Sequence, residues 1–261
     1  MTVAERATRG PAALRQARSL EATAHRPWPP PSRPWVMGQT WEDLLFAHWR
    51  VAPALLREKV PAPLELDLFE GTGWLGVTPF RVTGLRPRGV PPLPGVSSFP
   101  EINVRTYVTF GGRPGVWFFS LDAGNRLAVA AARRLYRLPY QAAGMTVARA
   151  HGSIRFASRR LGEPSDRWQL RVVYAPVGEP VPPRPGSREH FLTERYRLYT
   201  VDGERVTFAD IHHRPWPLQE AEATFEVNTM APTGIQLNGP PDTLHFSRRQ
   251  DVVVWAPGHA G

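Results

Sequence analysis

The chain has 261 residues, a formal net charge of +9, 42% hydrophobic residues and no cysteine. This composition excludes disulfides, thiolate nucleophiles and cysteine metal ligands, and it supplies enough apolar residues for one large β or α+β domain. No apolar run approaches the roughly 20 residues of a membrane span, and no apolar leader segment is present, so we expect a cytoplasmic protein with no membrane partner. The basic excess is almost entirely arginine without a recognised nucleic-acid motif, so no nucleic acid is expected either.

The N-terminal residues 1–33 predict a flexible tail rich in proline and arginine. The prolines after Arg26 restrict this part to extended conformations, and the tail is expected to add nothing to the core. We therefore expect one β-barrel domain with a central cavity over residues 34–261.

The first elements of the domain are predicted as short helices. Thr40, followed by acidic residues, is typical of an N-cap and predicts a helix that runs through His48 to Trp49. Pro53 predicts the start of a second short helix. The next elements are predicted strands at 64–69 and 74–82, a turn at 70–73 and a loop at 83–100.

The next strand carries an unusual polar face. Polar and apolar residues alternate strictly from Asn103 to Phe110, so Asn103, Arg105 and Tyr107 share one side of the strand, and Glu101 joins them. A carboxylate, an amide, a guanidinium and a phenol on one strand face fit either a solvated sheet surface or the lining of a polar pocket.

The C-terminal half predicts more short strands. Residues 116–122 form an apolar strand, Asn125 caps a helix that ends at Arg137, and Ser187 caps a shorter helix. Ser120 and Asp122 are expected to cap the helix or the strand end. The remaining strands are predicted near 144–150, 152–159, 168–174, 196–201, 205–212, 222–228 and 251–255. Some ten strands and four short helices favour a mainly β, α+β fold with a closed or strongly curved antiparallel sheet.

Residues 132–141 resemble the acetoacetate decarboxylase signature, which reads Gly-Arg-Glu-apolar-Trp-Gly-apolar-Pro-Lys-Lys. Glu101 lies 39 residues before Tyr140, a distance that matches a functional glutamate of that family. More widely, the chain resembles the YqjF-like bacterial family, which is grouped with the decarboxylase by fold. This wider resemblance spans about 35–258 and rests on residues 35–49, 100–108, 119–123 and 193–196. It implies a cone-shaped antiparallel β-barrel with a central cavity and a few short flanking helices.

The chain departs from the decarboxylase where that enzyme has its catalytic lysine pair. Tyr140 and Gln141 stand at those two positions, and neither side chain can form an imine. The one lysine of the chain, Lys59, lies in a charged segment before a proline, where a solvated position is expected. The resemblance therefore implies the fold without Schiff-base decarboxylation.

The candidate site follows from the strand face and the resemblance together. We expect Glu101 to be a general base and Tyr140 to polarise a carbonyl group, while Arg105 holds a substrate carboxylate. The expected partner is a small anionic or carbonyl-bearing organic molecule. The further predicted substrate-binding residues are Asn103, Tyr107, Arg133, Gln141 and His48.

Two other functions stay open at this point. The first is a non-catalytic ligand-binding or scaffold barrel whose interior is filled by side chains. The second is a metal-dependent hydrolase that uses His48 or His212, although no metal-ligand spacing occurs and neither a metal nor a cofactor is expected. If the protein is an enzyme, the residues favour a lyase- or hydrolase-like acid–base catalyst. The sequence leaves the oligomeric state undecided, with a homo-oligomer among the options.

Overall fold

Strands dominate the computed structural model, which describes residues 11–164 and 167–259. This confirms the mainly β, α+β class. The helices are α1 Ala12–Arg18, α2 Pro53–Arg57, α3 Arg126–Tyr136 and α4 Arg188–Thr193, with a 3-10 turn at Ser19–Glu21. The strands are β1 Met37–Val51, β2 Glu65–Leu66, β3 Gly73–Pro87, β4 Phe99–Phe110, β5 Arg113–Ala123, β6 Tyr140–Ala150, β7 Ser153–Arg160, β8 Gln169–Val181, β9 Arg197–Asp202, β10 Arg205–His212, β11 Leu218–Asn228, β12 Thr243–Val254 and β13 Gly258–His259.

Within the described residues the strands form one sheet that closes on itself twice. The larger ring follows the hydrogen-bonded order β5-β6-β7-β8-β11-β12-β1-β3-β4 and returns to β5. Its interior is filled by apolar side chains such as Ile102, Val104, Phe156, Val172 and Phe246, all of them buried. This ring holds the main hydrophobic core.

The smaller ring uses the opposite face of the strands that the two rings share. Pairing of β5 with β9, of β9 with β10 and of β10 with β12 closes the order β5-β9-β10-β12-β1-β3-β4. Because successive side chains on a strand point to opposite faces, β4 sends Ile102 and Val104 into the larger ring and Glu101, Asn103 and Arg105 into the smaller one.

Two strand pairs are parallel, which differs from the expected all-antiparallel barrel. Strand β5 pairs in parallel with β6 and with β9. Helix α3 connects β5 to β6, and a helical crossover of this kind is what a parallel pair requires. The crossover places α3 beside the smaller ring.

The predicted helix through His48 is wrong, because these residues form β1. The strand contains an irregularity between Glu42 and Ala47, where Asp43 has a φ of 52°. Arg149 and Arg248 bind the Asp43 carboxylate, and the Tyr174 hydroxyl donates to its carbonyl oxygen at 2.7 Å. The irregularity moves Leu44, Phe46 and His48 onto the inner face of the smaller ring.

The expectation that residues 1–33 form a tail without core contacts is wrong for the described part of that segment. Gln16 of α1 is fully buried; its amide donates to Thr40 Oγ1 at 3.2 Å and to the Gly84 carbonyl at 3.1 Å, and it accepts from Arg86 Nε at 2.9 Å. Gly38 permits this approach, since a Cβ there would lie 2.4 Å from Gln16 Oε1. Residues 1–10 of the predicted tail lie outside the described residues.

Several local predictions agree with the structure. The Asn125 carboxamide caps α3 by accepting from two backbone N–H groups, and Ser187 caps α4. The predicted strands near 196–201 and 205–212 correspond to β9 and β10, which pair with each other. The predicted loop at 83–100 is shorter than expected, because β3 continues to Pro87. None of the described helices combines the length and the apolar character that crossing a bilayer demands.

Candidate functional site

The smaller ring encloses a cavity of about 150 Å³. Its wall is mainly apolar, and helix α3 covers one side with Ala128, Ala132 and Tyr136. Most of the polar groups come from one part of the ring, β4 and its neighbours. The polar lining residues are Gln39, Thr78, Glu101, Asn103, Arg105, Tyr136 and Tyr140.

Glu101 is the only acidic side chain among the described residues that line the cavity. It is 4% exposed, and the Tyr140 hydroxyl donates to its Oε2 at 3.2 Å. Burial raises the pKa of Glu101 to about 8; the Tyr140 hydrogen bond opposes this shift and nearby Asp122 adds to it. The carboxyl is therefore mostly protonated at neutral pH.

Tyr140 reaches Glu101 because β6 begins beside β5. The Leu121–Tyr140 pairing sets the start of β6, and the Arg133 guanidinium holds it by donating to the Tyr140 carbonyl at 2.6 Å and to Gln141 Oε1 at 2.8 Å. Burial and the Glu101 carboxylate raise the pKa of Tyr140 well above its ordinary value, so its hydroxyl stays a donor.

The structure does not bring Arg133 and Gln141 into the cavity. The Arg133 side chain is exposed, and it forms a hydrogen bond with the Gln141 side chain at the start of β6. Neither of these two predicted substrate-binding residues lines the cavity, and their contacts fix the backbone that carries Tyr140.

Arg105 lines the cavity two residues beyond Asn103. Its Nη2 donates to the Leu192 carbonyl at 3.1 Å, and its guanidinium carbon lies 5.4 Å from the ring centre of Phe46. Its buried Nε has no hydrogen-bond partner within the described part of the chain. Arg105 is not among the causes of the shifted pKa of Glu101, which are burial, the Tyr140 hydrogen bond and nearby Asp122.

Asn103 lies between Glu101 and Arg105 on the same strand face. It is 8% exposed, and its buried Oδ1 has no partner among the residues that the structure describes. An unpaired buried carbonyl oxygen beside a cavity is available to a ligand donor.

Tyr107 and His48 form a hydrogen-bond chain next to the cavity and are not among its lining residues. The Tyr107 hydroxyl donates to the Leu192 carbonyl at 2.7 Å, so it must accept from His48 Nε2, also at 2.7 Å. His48 therefore carries its proton on Nε2. Burial, with Arg105 nearby, lowers the pKa of His48 well below its ordinary value. The structure thus assigns these two predicted ligand contacts to a neutral network that supports α4.

Asp122 and Ser120 do not cap α3. Asp122 is fully buried and accepts two hydrogen bonds from Arg160, at 3.0 and 2.7 Å, on the face of β5 away from the cavity. Of the three predicted capping residues, Asn125 is the one that caps α3.

The histidines that suggested a metal are bound to other groups. His212 Nε2 contacts the Ser19 carbonyl at 2.9 Å and its Nδ1 lies 3.2 Å from Arg26. Across residues 11–164 and 167–259, no three histidine, aspartate or glutamate side chains come together as a metal site.

The sequence reading missed the apolar wall of the cavity. Trp41 stacks on Trp216 with ring centres 5.9 Å apart, and both line it. The α3 residues Ala128, Ala132 and Tyr136 recur at four-residue spacing, which is the period of one helix face and could have indicated a buried surface.

Comparison with known proteins places this fold in a recognised group. Residues 38–257 match the family DUF2071, described as an uncharacterized conserved protein. The chain is 45% identical over 222 residues to the uncharacterized protein YqjF of Bacillus subtilis strain 168, a match that covers 85% of this chain and 91% of that protein.

Solved structures with the same fold are much more distant in sequence. An acetoacetate decarboxylase-like enzyme from Sphingomonas wittichii RW1 is 14% identical with a TM-score of 0.60, covering 92% of this chain and 99% of that one. The enduracididine biosynthesis enzyme MppR, complexed with pyruvate, is 13% identical with a TM-score of 0.58, covering 90% and 93% of the two chains. These similarities confirm the fold expected from the sequence resemblance.

Proposed function

The chain belongs to the DUF2071 family, and we propose that its cavity binds a small carboxylate- or carbonyl-bearing metabolite and transforms it by general acid–base chemistry without a Schiff-base lysine. The observation that carries this proposal is the buried Glu101 carboxyl, which is hydrogen-bonded to Tyr140 and shares one strand face with Arg105 around a cavity of about 150 Å³.

The roles follow from the chemistry of the three groups. The Arg105 guanidinium, held by the Leu192 carbonyl, can pair with a substrate carboxylate. Glu101 has a pKa of about 8 and is poised for proton transfer near neutral pH: its protonated form donates to a carbonyl oxygen, and its ionised form accepts a proton. The Tyr140 hydroxyl can donate a hydrogen bond either to the ionised Glu101 carboxylate or to a substrate carbonyl oxygen that gains negative charge.

No lysine is among the described residues that line this cavity. Lys59 is exposed at the end of α2 and is not among the lining residues. An iminium intermediate on a cavity lysine is therefore not part of the proposal. The protein that crystallised with pyruvate supports small organic acids as a ligand class for this fold, and the assignment to this chain is ours.

The alternative from sequence is a barrel that binds ligand or serves as a scaffold without catalysis. The packed interior of the larger ring is what a scaffold barrel needs, whereas the smaller ring keeps an open cavity with Glu101, Arg105 and Tyr140 in its wall. The cavity favours a ligand-binding protein, and the perturbed carboxyl favours catalysis over binding alone.

A thermal-shift screen against small carboxylic acids and ketones tests the proposal. A ligand should raise the melting temperature of the wild type and should lose this effect in Arg105→Ala, since binding to the native state raises apparent stability. Turnover of that ligand should be lost in Glu101→Gln. Glu222→Gln, an exposed strand carboxylate, is the matched control. A screen in which no acid or ketone depends on Arg105 would remove the basis of the proposal.

A further inference from the structure

The charges around the cavity limit the charge of its ligand. Among the described lining residues, Arg105 is the one basic side chain and Glu101 the one acidic side chain. At neutral pH the Glu101 carboxyl is mostly neutral, so the wall carries about one positive charge. Burying a second negative charge without a partner is strongly unfavourable. One carboxylate is matched here, whereas a phosphate ester or a dicarboxylate is not.

The polar and apolar groups occupy different parts of the ring. Glu101, Asn103 and Arg105 lie on β4, which is separated from β10 by two or more strands in either direction around the ring. The wall contributed by β9, β10 and β12 is purely aliphatic, namely Leu198, Ile211 and Val254. A bound molecule that fills this space therefore meets most of the hydrogen-bonding groups on the β4 side, and aliphatic side chains with Tyr136 beside them on the other side.

The volume sets the size of the apolar part. The cavity measures about 150 Å³, and an engineered apolar protein cavity of ~150 Å³ binds benzene. A three- or four-carbon keto acid would pair with Arg105 and leave the aliphatic wall without contacts. A phenyl ring or a branched alkyl group of similar size would fill it.

We propose that the ligand is a monocarboxylate with an apolar body about the size of a phenyl ring, whose carboxylate pairs with Arg105 and whose body rests against Leu198, Ile211 and Val254. This inference rests on the proposed function, because it takes the same cavity as the ligand site, and it narrows the ligand from small organic acids in general to aryl- or branched-alkyl acids.

A matched set of four compounds tests the inference by calorimetric titration of the wild-type protein at pH 7. Phenylacetate carries both features, acetate lacks the apolar body, 2-phenylethanol lacks the charge, and phenylsuccinate adds a second carboxylate. Phenylacetate should bind at least tenfold more tightly than each of the other three. Its binding should weaken at least tenfold in Arg105→Ala.

Two substitutions on α3 locate the apolar body. Ala132 lines the cavity and Ala130 is exposed on the same helix. Ala132→Phe should fill part of the space and reduce phenylacetate affinity at least tenfold, while Ala130→Phe should change it less than twofold. The four-compound series on the wild type decides the inference even if Ala132→Phe does not fold.

The outcomes separate this inference from the proposed function. If acetate binds as tightly as phenylacetate and its binding depends on Arg105, the apolar-body inference is overturned and the proposed function stands. If phenylsuccinate binds best, the single-charge argument is overturned. If none of these acids binds in an Arg105-dependent way, both the inference and the proposed function fail.

Discussion

The Tyr140 hydroxyl lies 3.2 Å from Glu101 Oε2, although the two residues are 39 positions apart and belong to different strands. Glu101 lies in β4 and Tyr140 opens β6, and β5 lies between the two strands, antiparallel to the first and parallel to the second. The pair is thus a product of the helical crossover through α3. Tyr140 stands at the position that the sequence resemblance aligns with the first lysine of the decarboxylase signature.

The buried Glu101 carboxyl predicts a pH dependence of stability. Its pKa is raised from 4.5 to about 8 in the folded protein. The free energy of unfolding is therefore highest below pH 4.5, where the carboxyl is protonated in both states, and it falls as the pH rises towards 8, because the unfolded chain ionises more readily. Relative to Glu101→Gln, which does not titrate, the free energy of unfolding of the wild type should fall by up to about 4 kcal/mol across this window. Urea unfolding at half-unit pH intervals measures the difference.

The matched control for this titration is Glu222→Gln on the exposed face of β11. It removes a carboxyl that is exposed and outside the cavity wall, so its curve should follow that of the wild type. Parallel pH curves for the wild type and Glu101→Gln would show that Glu101 is not desolvated.

Arg105 predicts a loss of acid binding without a loss of fold. A charge-assisted hydrogen bond contributes about 1.5–3 kcal/mol, so Arg105→Ala should weaken binding of a carboxylate ligand by roughly ten- to a hundredfold. Titration calorimetry gives the affinity, and circular dichroism checks the fold. Arg134→Ala on the exposed side of α3 is the control and should bind normally. Equal affinities in the two variants would place the carboxylate elsewhere.

The Tyr107 hydroxyl predicts the opposite pattern, lower stability with normal binding. Tyr107→Phe removes the acceptor of His48 Nε2 and one donor to the Leu192 carbonyl. An unsatisfied buried N–H costs about 1–3 kcal/mol, which urea unfolding should reveal, while ligand affinity should change less than twofold. A variant with native stability and lost binding would return Tyr107 to the ligand site.

The sequence predicted the polar side of the cavity because that information is local. Glu101, Asn103 and Arg105 alternate with buried apolar residues, and a strand period alone puts them on one face. Tyr107 continues the same period, but its hydroxyl donates to the carbonyl of Leu192 in α4, which lies 85 residues further along the chain. The strand period thus identifies the polar face of β4, whereas the packing of α4 against Tyr107 determines where the cavity ends.

The wrong helix prediction for β1 and the missed aliphatic wall also result from contacts between residues that are distant in sequence. The run from Leu44 to Trp49 is buried on both faces, and such a run has no period that separates a strand from a helix. Its irregularity is fixed by Arg149 and Arg248, which are distant in sequence from Asp43. The aliphatic wall is likewise assembled from three separate strands, β9, β10 and β12. Its residues are ordinary apolar strand residues, so their sequence pattern does not distinguish a cavity wall from a packed core.

The buried amide of Gln16 predicts that the N-terminal segment contributes to stability. It is the partner of Arg86 Nε and of Thr40 Oγ1, so Gln16→Ala leaves buried groups unpaired and should lower the free energy of unfolding by about 2–4 kcal/mol. Differential scanning calorimetry measures the effect, and Leu14→Ala, an exposed residue of the same helix, is the control. An unchanged transition in Gln16→Ala would mean that α1 detaches without cost.

The absence of a cavity lysine predicts that borohydride will not trap a ketone on this protein. Imine formation needs an uncharged amine; Lys59 is the one lysine in the sequence, and its side chain is exposed at the end of α2. Incubation with pyruvate and borohydride, followed by peptide mass mapping, should give no adduct on Lys59. Tyr140→Lys is the informative counterpart, because it puts an amine beside Glu101 in an apolar cavity, where burial lowers the pKa of a lysine. That variant should form an adduct on the new side chain. An adduct on Lys59 in the wild type would show that this chain can form an imine. The site would then lie on the surface near Gly234, where a Cβ atom would be 3.6 Å from Lys59 Nζ.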